Sequence, residues 1–510
     1  MQWDTMTREQ YEALQDRQLK RFIAEEVYPF HPYYGDLFRK HGILPRHIGS
    51  VSDLRHFSEL FTTKTIIAAQ PEAFVVQPTP KRVFLSPPRT RPLVLVAREL
   101  ARAGIAIPNL LFDQTLNRLP SLLYRFGRVQ LPRPLSAKAF LEYRYAPHFP
   151  TGTTGRSTGG VPTVFWFTGV DMARMAKLGS RYFSLLGMGN LQPQERRCID
   201  LFPVSIHLAD LFLREVSRGV PAMVFPTGGG KGIGTERSLR VAEASEARLL
   251  AGVPDYVERF LEYAVDEKRN LSHVERVILG GDAVGPKRRE SIIELLRKCG
   301  AMDPVVIASY GFTEAKIAFI ECVEGAREGG VGYHVFPELG AVEILDPDPN
   351  SRGEVCWSTI VGAGTVVLRY RTGDHAAFSW EPCPACGRTL PRIVGPITRK
   401  TSDMIKNIAG TLVDFNHVCE VFENDASVTE WQVEIVGDKN AGERINVFVA
   451  LREGIDQDAV CWRLVSAFKT AADGLAPYTI RVFSHEELVV RLGIETELKA
   501  QRIKDLRKEA

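Results

Sequence analysis

Apolar and polar positions follow two rhythms along the chain. Near the start, Tyr11, Leu14, Leu19, Phe22 and Ile23 fall on or near one helical face, which predicts an N-terminal helical segment within residues 1–78. From Pro150 onward the short apolar runs VFWFT, AMVFP, ARLLAGV, RVILGG and VVIAS alternate with amphipathic stretches such as GPKRRESIIELLRKCG. That alternation predicts strands and helices in α/β layers. Beyond Lys400 the chain offers WQVEIVG, INVFVALRE, the helix-like DQDAVCWRLVSAFKTAADG and YTIRVFS, a compact strand-strand-helix-strand set. It reads as a small separate α+β domain over 400–510, after a large multilayer α/β body ending near Arg399. Between helical segment and layers, Pro80, Pro87, Pro88, Pro92, Pro108, Pro120, Pro132 and Pro134 break any long element, so 79–146 reads as an insertion and 147–399 as the core of the large body.

Composition narrows the class. With 45% hydrophobic and 25% charged residues over 510 positions, collagen-like, disordered and disulfide-stapled chains are excluded. The balance of 64 basic against 61 acidic residues is too even for a protein that coats nucleic acid by charge. No apolar run reaches the roughly 18 residues of a membrane span, and the opening MQWDTMTREQ lacks a secretory pattern, so a cytoplasmic protein is expected. Charge is unevenly spread, however. Residues 81–146 hold twelve basic and three acidic residues, a local +9 in a chain of +3. Interleaved with apolar runs such as PLVLVA and NLLF, that stretch reads either as a solvated insertion or as a docking surface for an acidic carrier protein or an anionic membrane.

The chemistry begins at PTGTTGRSTGG. Thr151, Gly152, Thr153, Thr154 and Gly155 place permissive backbone beside hydroxyl donors, as a phosphate cradle requires and as a flexible surface turn also can. The run lacks the G-K-[ST] ending of a P-loop. Further on, Gly281 and Asp282 in LGGDA, Tyr310, Gly311, Phe312, Thr313 and Glu314 in SYGFTE, and Asp374 in RYRTGD are each expected at a strand end. A tyrosine face stacks on a purine, an acid holds Mg²⁺, and an aspartate accepts ribose hydroxyls, so the set makes a nucleoside triphosphate site. Cys383 and Cys386 have the C-x2-C spacing of two zinc ligands, and Cys322 with His334 are the plausible remaining pair; a turn with two small buried thiols is the alternative. The other five cysteines are expected in the core.

In this order the motifs resemble the adenylate-forming superfamily and, within it, the phenylacetate-CoA ligase family. REQYEALQ, YPFHPYYGDLFRKHGI, SVSDLRHFSELFTTK and GVPDYVERFLE resemble that family's landmarks, followed by GGD, SYGFTE, YRTGD and CGRTLPRI. The resemblance implies a two-step ligase in which ATP and a carboxylic acid (aryl, arylacetic or fatty) give an acyl-adenylate, and CoA then takes the acyl group. It implies that residues 151–155 clasp phosphates, Gly281 and Tyr310 flank adenine, Thr313 and Glu314 serve phosphate and Mg²⁺, and Asp374 holds the ribose. GIETELKAQRIKDLR resembles the terminal lysine loop, which makes Lys499 the adenylation lysine on a mobile small domain; a solvated basic tail is the other reading. His207 resembles the position that lines the acyl pocket elsewhere in the superfamily, a histidine satisfied in the core being the other reading, and Tyr256 and Phe312 are candidates to shape that pocket. Some relatives carry similar Cys and His positions, which implies a structural zinc site here too.

The chain departs from the family in three places. Residues 157–161 lengthen the phosphate loop before Pro162, Lys400 stands where the hinge arginine is usual, and Leu498 replaces the glycine before the lysine. The alternatives left open are an acceptor thiol on a carrier protein or on a protein cysteine and, more remotely, a non-catalytic zinc-ribbon binding protein.

Overall fold

The computed structural model describes residues 3–78, 142–152, 163–399, 404–408, 411–438, 442–497 and 500–508. Thr153, Thr154, Gly155, Lys400, Lys499 and nearly all of the basic insertion therefore lie outside the described residues. Four of the apolar runs become parallel strands and, with Arg197–Leu201, lie side by side in the order Met223–Pro226, Arg197–Leu201, Leu249–Gly252, Arg276–Leu279 and Val305–Phe312, whereas the run VFWFT, as Val164–Phe167, pairs antiparallel with Phe149–Gly152 in a separate two-stranded sheet. Helices Leu208–Arg218, Thr235–Ala244, Pro254–Asp266 and Pro286–Lys298 connect them. Successive side chains point to opposite faces, so each strand feeds two cores. Cys198, Leu249, Ala251, Val305 and Ile307 join one, while Ile199, Leu201, Leu250, Val277, Leu279 and Val306 join the other. Burial on both faces explains why these strands read as apolar runs without polar alternation.

Val305–Phe312 changes partner midway. Residues 305–308 pair parallel with Arg276–Leu279, whereas 309–312 pair antiparallel with Ile317–Ile320. The sheet then continues antiparallel through Tyr333–His334, Arg392–Arg399, Tyr370–Ser379, Gly353–Thr359 and Gly340–Leu345, making eleven strands in all. This corrects the expectation that SYGF and YRTGD follow strands. Both are themselves strand, because the antiparallel partners give their backbones a ladder that the local sequence does not advertise.

The N-terminal helix Arg8–Phe22 forms as its periodicity requires, capped by Thr7 and Gln10 in a reciprocal box. Farther along, a buried tyrosine ties the N-terminal segment to the sheet. Tyr34 Oη meets Thr62 Oγ1 at 2.6 Å, donates to Leu368 O at 3.0 Å and accepts Leu368 N at 2.7 Å. Thr62 N in turn donates to Arg369 O, which fixes the entry into Tyr370–Ser379.

The C-terminal residues build a second sheet in the order Thr479–Phe483, Gly442–Leu451, Val428–Asp438 and Ile503–Asp505. Helices Phe415–Asn424 and Gln457–Ala471 cover one face through Val418, Phe422, Leu464 and Phe468. Helix His485–Leu492 covers the other, setting Leu488 and Leu492 on Phe448 and Ala450. Tyr34→Phe strands the Leu368 N–H in the core and is expected to destabilise the large body by about 1–3 kcal/mol, read as a lower urea midpoint.

Candidate active site

The partner change falls where the parallel strands end, the place where open α/β sheets bind ligands. Gly280 and Gly281 leave the strand Arg276–Leu279 there. A Cβ on Gly280 would lie 2.7 Å from Ser309 Oγ, and Gly281 has φ +95, so this turn suits glycine at both positions. Gly281 and Asp282 are exposed. Tyr310 rises from the neighbouring strand and donates through Oη to Asp374 Oδ2 at 2.9 Å. The other carboxylate oxygen, Oδ1, receives Arg399 Nε at 2.8 Å. Asp374 and Arg399 face each other across adjacent antiparallel strands, so register creates this pair.

Beyond Gly311 and Phe312 the chain makes a tight turn, Thr313–Ala315, closed by Lys316 in the left-handed region at φ +61. Glu314 is buried there and accepts Tyr370 Oη at 2.6 Å. Burial raises its pKa above the ordinary carboxylate range, and the Lys64 charge and the Tyr370 hydroxyl pull it partly back. Lys316 ends the turn on Asp171 Oδ2 at 3.0 Å, the same oxygen that receives Gly364 N and Thr168 N. Phe312 stacks on Tyr370 at 6.3 Å between ring centroids and lies edge-on to Trp357.

The expected acyl-side residues sit among other partners. Tyr256 is buried, with its hydroxyl 3.2 Å from Thr235 Oγ1. Its ring leaves no room for a Cβ on Gly230, which would lie 2.8 Å from Oη. His207 stands half-buried at the start of helix Leu208–Arg218, on a loop joined to strand Phe149–Gly152 by a 2.7 Å bond from Gly152 N to Ile206 O. On that strand Thr151 is buried, and its hydroxyl has no partner among the described residues.

Part of the site escaped sequence reasoning. Residues 227–234, TGGGKGIG, form a second glycine-rich loop, with positive φ at Gly228, Gly229, Gly230 and Gly234. Its signal was the glycine run itself, as plain as the first. Arg399 stands one position before the residue matched to the hinge arginine and could be found only through its cross-strand partner. The C-terminal sheet meets the large body through charge. Arg502 binds Asp255 and Glu430 at 2.6 Å each, Arg288 reaches Asp255 at 2.8 Å, Arg259 reaches Glu486 at 2.7 Å, and His485 lies 3.3 Å from Glu262. Burial alone would raise the pKa of Asp255, but the two guanidiniums hold it well below the carboxylate range. Glu497 and Ala500, which flank Lys499 at positions 498–499, line a narrow crevice with Pro203, Gly229, Val253 and Tyr256.

Cys322, His334, Cys383 and Cys386 converge beside the antiparallel strands, their ligand atoms all within 4.8 Å of one another. Cys322 Sγ lies 3.8 Å from Cys383 Sγ, and Cys386 Sγ lies 3.7 Å from His334 Nε2. A disulfide is far shorter, whereas tetrahedral zinc with bonds of about 2.3 Å sets its thiolates about 3.8 Å apart. The donor set therefore fits zinc. Cys198, Cys299 and Cys356 are buried, as expected, whereas Cys419 and Cys461 are only partly so.

Comparison with known proteins agrees with this geometry. The family model described as AMP-binding enzyme matches residues 219–365. A phenylacetate-coenzyme A ligase of Thermus thermophilus is 24% identical over 414 residues, covering 79% of this chain and 73% of that protein. Among solved structures, 2-hydroxyisobutyryl-CoA ligase in the postadenylation state with 2-HIB-AMP has a TM-score of 0.68 at 15% identity, covering 99% of this chain and 92% of that one. The same ligase with 2-HIB-AMP and CoA in the thioesterification state has a TM-score of 0.55 at 16% identity over the same shares. Residues 219–365 thus match AMP-binding enzymes, and over nearly the whole chain the fold is similar to that of 2-hydroxyisobutyryl-CoA ligase.

Asp374 takes both of its strong hydrogen bonds from Tyr310 and Arg399, so its loss removes an acceptor and frees Arg399. Asp374→Ala is expected to raise the KM for ATP about 10- to 100-fold, the equivalent of one charge-assisted hydrogen bond, as measured by steady-state kinetics.

Proposed function

We propose that the protein is an AMP-forming ligase that activates a small-molecule carboxylic acid with ATP and passes the acyl group to CoA. The observation carrying this reading is the Tyr310–Asp374–Arg399 cluster beside buried Glu314 at the strand ends. In the first step a carboxylate oxygen attacks the α-phosphorus and pyrophosphate leaves. In the second, a thiolate attacks the acyl carbonyl and AMP leaves. Residues 151–155 hold phosphates, Gly281, Asp282, Tyr310 and Gly311 frame the adenine, and Asp374 accepts the ribose hydroxyls. Lys400 completes the hinge next to Arg399. Mg²⁺, held by Glu314 with Thr313, supplies charge compensation at the phosphates. Lys499 supplies an ammonium where two anions meet, and its flanking residues border the crevice at Tyr256. His207, Tyr256 and Phe312 bound the acid.

The large body over 1–399 and the small domain over 400–510 divide this labour, with each half-reaction using a different placement of Lys499. We assign the reaction to the cytoplasm, where ATP and CoA are found. The basic insertion remains the proposed docking surface for an acidic carrier protein or an anionic membrane, and a carrier thiol is then the acceptor in place of CoA. Of its basic residues, Arg144 is already committed to buried Glu26 at 2.5 Å.

Structural zinc belongs to the Cys322, His334, Cys383 and Cys386 quartet. Four protein ligands leave no open position, so zinc there stabilises and leaves catalysis to the crevice. The same turn clasps the chain start, since Thr389 N donates to Asp4 O at 3.0 Å and Arg388 lies 3.6 Å from Asp4. The match of residues 219–365 to AMP-binding enzymes argues against the zinc-ribbon alternative.

A panel of aryl, arylacetic and fatty acids should reveal at least one that drives Mg²⁺-dependent ATP–pyrophosphate exchange; none doing so with folded, zinc-replete protein would sink the proposal. Lys499→Ala should cut exchange by at least about a hundredfold while sparing thioester formation from supplied acyl-adenylate. Equal losses in both steps would reassign that lysine to structure. Purified protein should carry one zinc per chain by metal analysis, and Cys383→Ser should lose it and melt at lower temperature.

A further inference from the structure

Strand Arg197–Leu201 and helix Leu208–Arg218 carry two acids that no nucleotide motif explains. Asp200 is 0% exposed and Asp210 2%, and their side chains meet within hydrogen-bonding reach. Asp200 Oδ1 accepts Phe202 N at 2.9 Å, and Asp210 Oδ2 holds Arg214. The remaining oxygens, Asp200 Oδ2 and Asp210 Oδ1, have no other partner among the described residues. Two ionised carboxylates are acceptors only, so they can bond each other only through a proton carried by one of them. One guanidinium, half-exposed, compensates one charge and not two. The charged or ionisable groups facing Asp200 are Asp210 and Arg214 on the helix and Cys198 on its own strand. The flanking strands Met223–Pro226 and Leu249–Gly252 bring no ionisable side chain.

Residues 201–209 run from one acid to the other and carry Ile206 and His207. Ile206 O accepts Gly152 N, and a Cβ on Gly152 would lie 3.0 Å from Ile206 Cδ1, so the loop and the strand entering the first glycine-rich loop are in close contact. Asp200 O also accepts Thr227 N at 3.0 Å and Thr227 Oγ1 at 2.9 Å, which sets the root of the second glycine-rich loop. Asp200 thus stands behind both.

We propose that Asp200 and Asp210 share one proton and that the pair is a positioning element, holding residues 201–209 against the strands that launch the two glycine-rich loops. Burial, ahead of the contact with Asp210, lifts the Asp200 pKa to about 8. With the folded pKa raised, the native state keeps a proton that the unfolded chain has already lost, so stability falls as pH climbs from the carboxylate range through about 8. Once the proton leaves, two buried carboxylates repel, the loop loosens from Gly152, and the phosphate side of the crevice loses its brace.

The activity arm of the test rests on the ligase reading; the other arms do not. In wild type, kcat/KM for exchange should fall about tenfold per pH unit above the transition, and the melting temperature should decline toward it. Asp200→Asn, whose amide donates to Asp210 without titrating, should flatten both profiles, whereas Asp200→Ala should melt lower at every pH. Infrared spectra of wild type should show a protonated-carboxyl C=O band at neutral pH that is lost well above pH 8 and is absent from Asp200→Asn. Unchanged slopes in Asp200→Asn would overturn the proposal, as would a wild-type spectrum without a titrating carboxyl band. If no acid supports exchange, the ligase reading fails, and melting and infrared still decide whether the proton is shared. Should Asp200→Asn not fold, the wild-type band alone decides.

Discussion

The structure depends on one strand having two kinds of neighbour. Val305–Phe312 is parallel to its partner for four residues and antiparallel to the next partner for four more, and among the described residues no other strand joins the two halves of the sheet. The parallel half delivers glycine turns at strand ends, because each strand there must stop and feed a helix. The antiparallel half delivers side chains from long strands, because Tyr370–Ser379 and Arg392–Arg399 run side by side in register. Tyr310 lies just beyond the change, which is why it can meet Asp374 from one half while standing beside Gly280 and Gly281 of the other.

Buried acids recur through the molecule, and each is matched differently. Asp374 has Arg399 and a tyrosine hydroxyl, Asp171 has Lys316 with two backbone amides, and Asp255 has two arginines. Glu314 has Tyr370 and the field of Lys64, so it remains harder to ionise. An acid without a matched cation must keep its proton or lose its burial, since desolvating a lone carboxylate costs several kcal/mol. Asp200 keeps its proton.

Legibility followed the distance over which each feature is decided. Helix Arg8–Phe22, four of the five parallel strands and the C-terminal set depend on local periodicity and were readable, whereas Arg197–Leu201, with Arg197 and Asp200 in a short run, was not. The residues proposed for the nucleotide stood out in the sequence because glycine, tyrosine and acid recur in fixed order. Arg399 was not, because only strand register sets it opposite Asp374. The Asp200–Asp210 contact was not, because a loop has to fold back to create it, and neither acid sits in a motif. Cys383 and Cys386 announced themselves by spacing, while Cys322 and His334 needed strand packing to arrive beside them.

The seam beneath the C-terminal sheet differs in kind from the interior on either side of it. Among the described residues, the hydrophobic clusters of the C-terminal sheet draw only on residues beyond 403 and those of the large body only on residues before 400, so no apolar core of described residues spans the junction. What spans it is mostly guanidinium against carboxylate. Water can replace such partners at little net cost where they are exposed, as at Glu486, whereas parting an oily interface would forfeit about 25 cal/mol for every Å² uncovered. Each body therefore keeps an apolar interior of its own, and dissolved salt, which screens charge but not oil, acts on the exposed part of the seam between them.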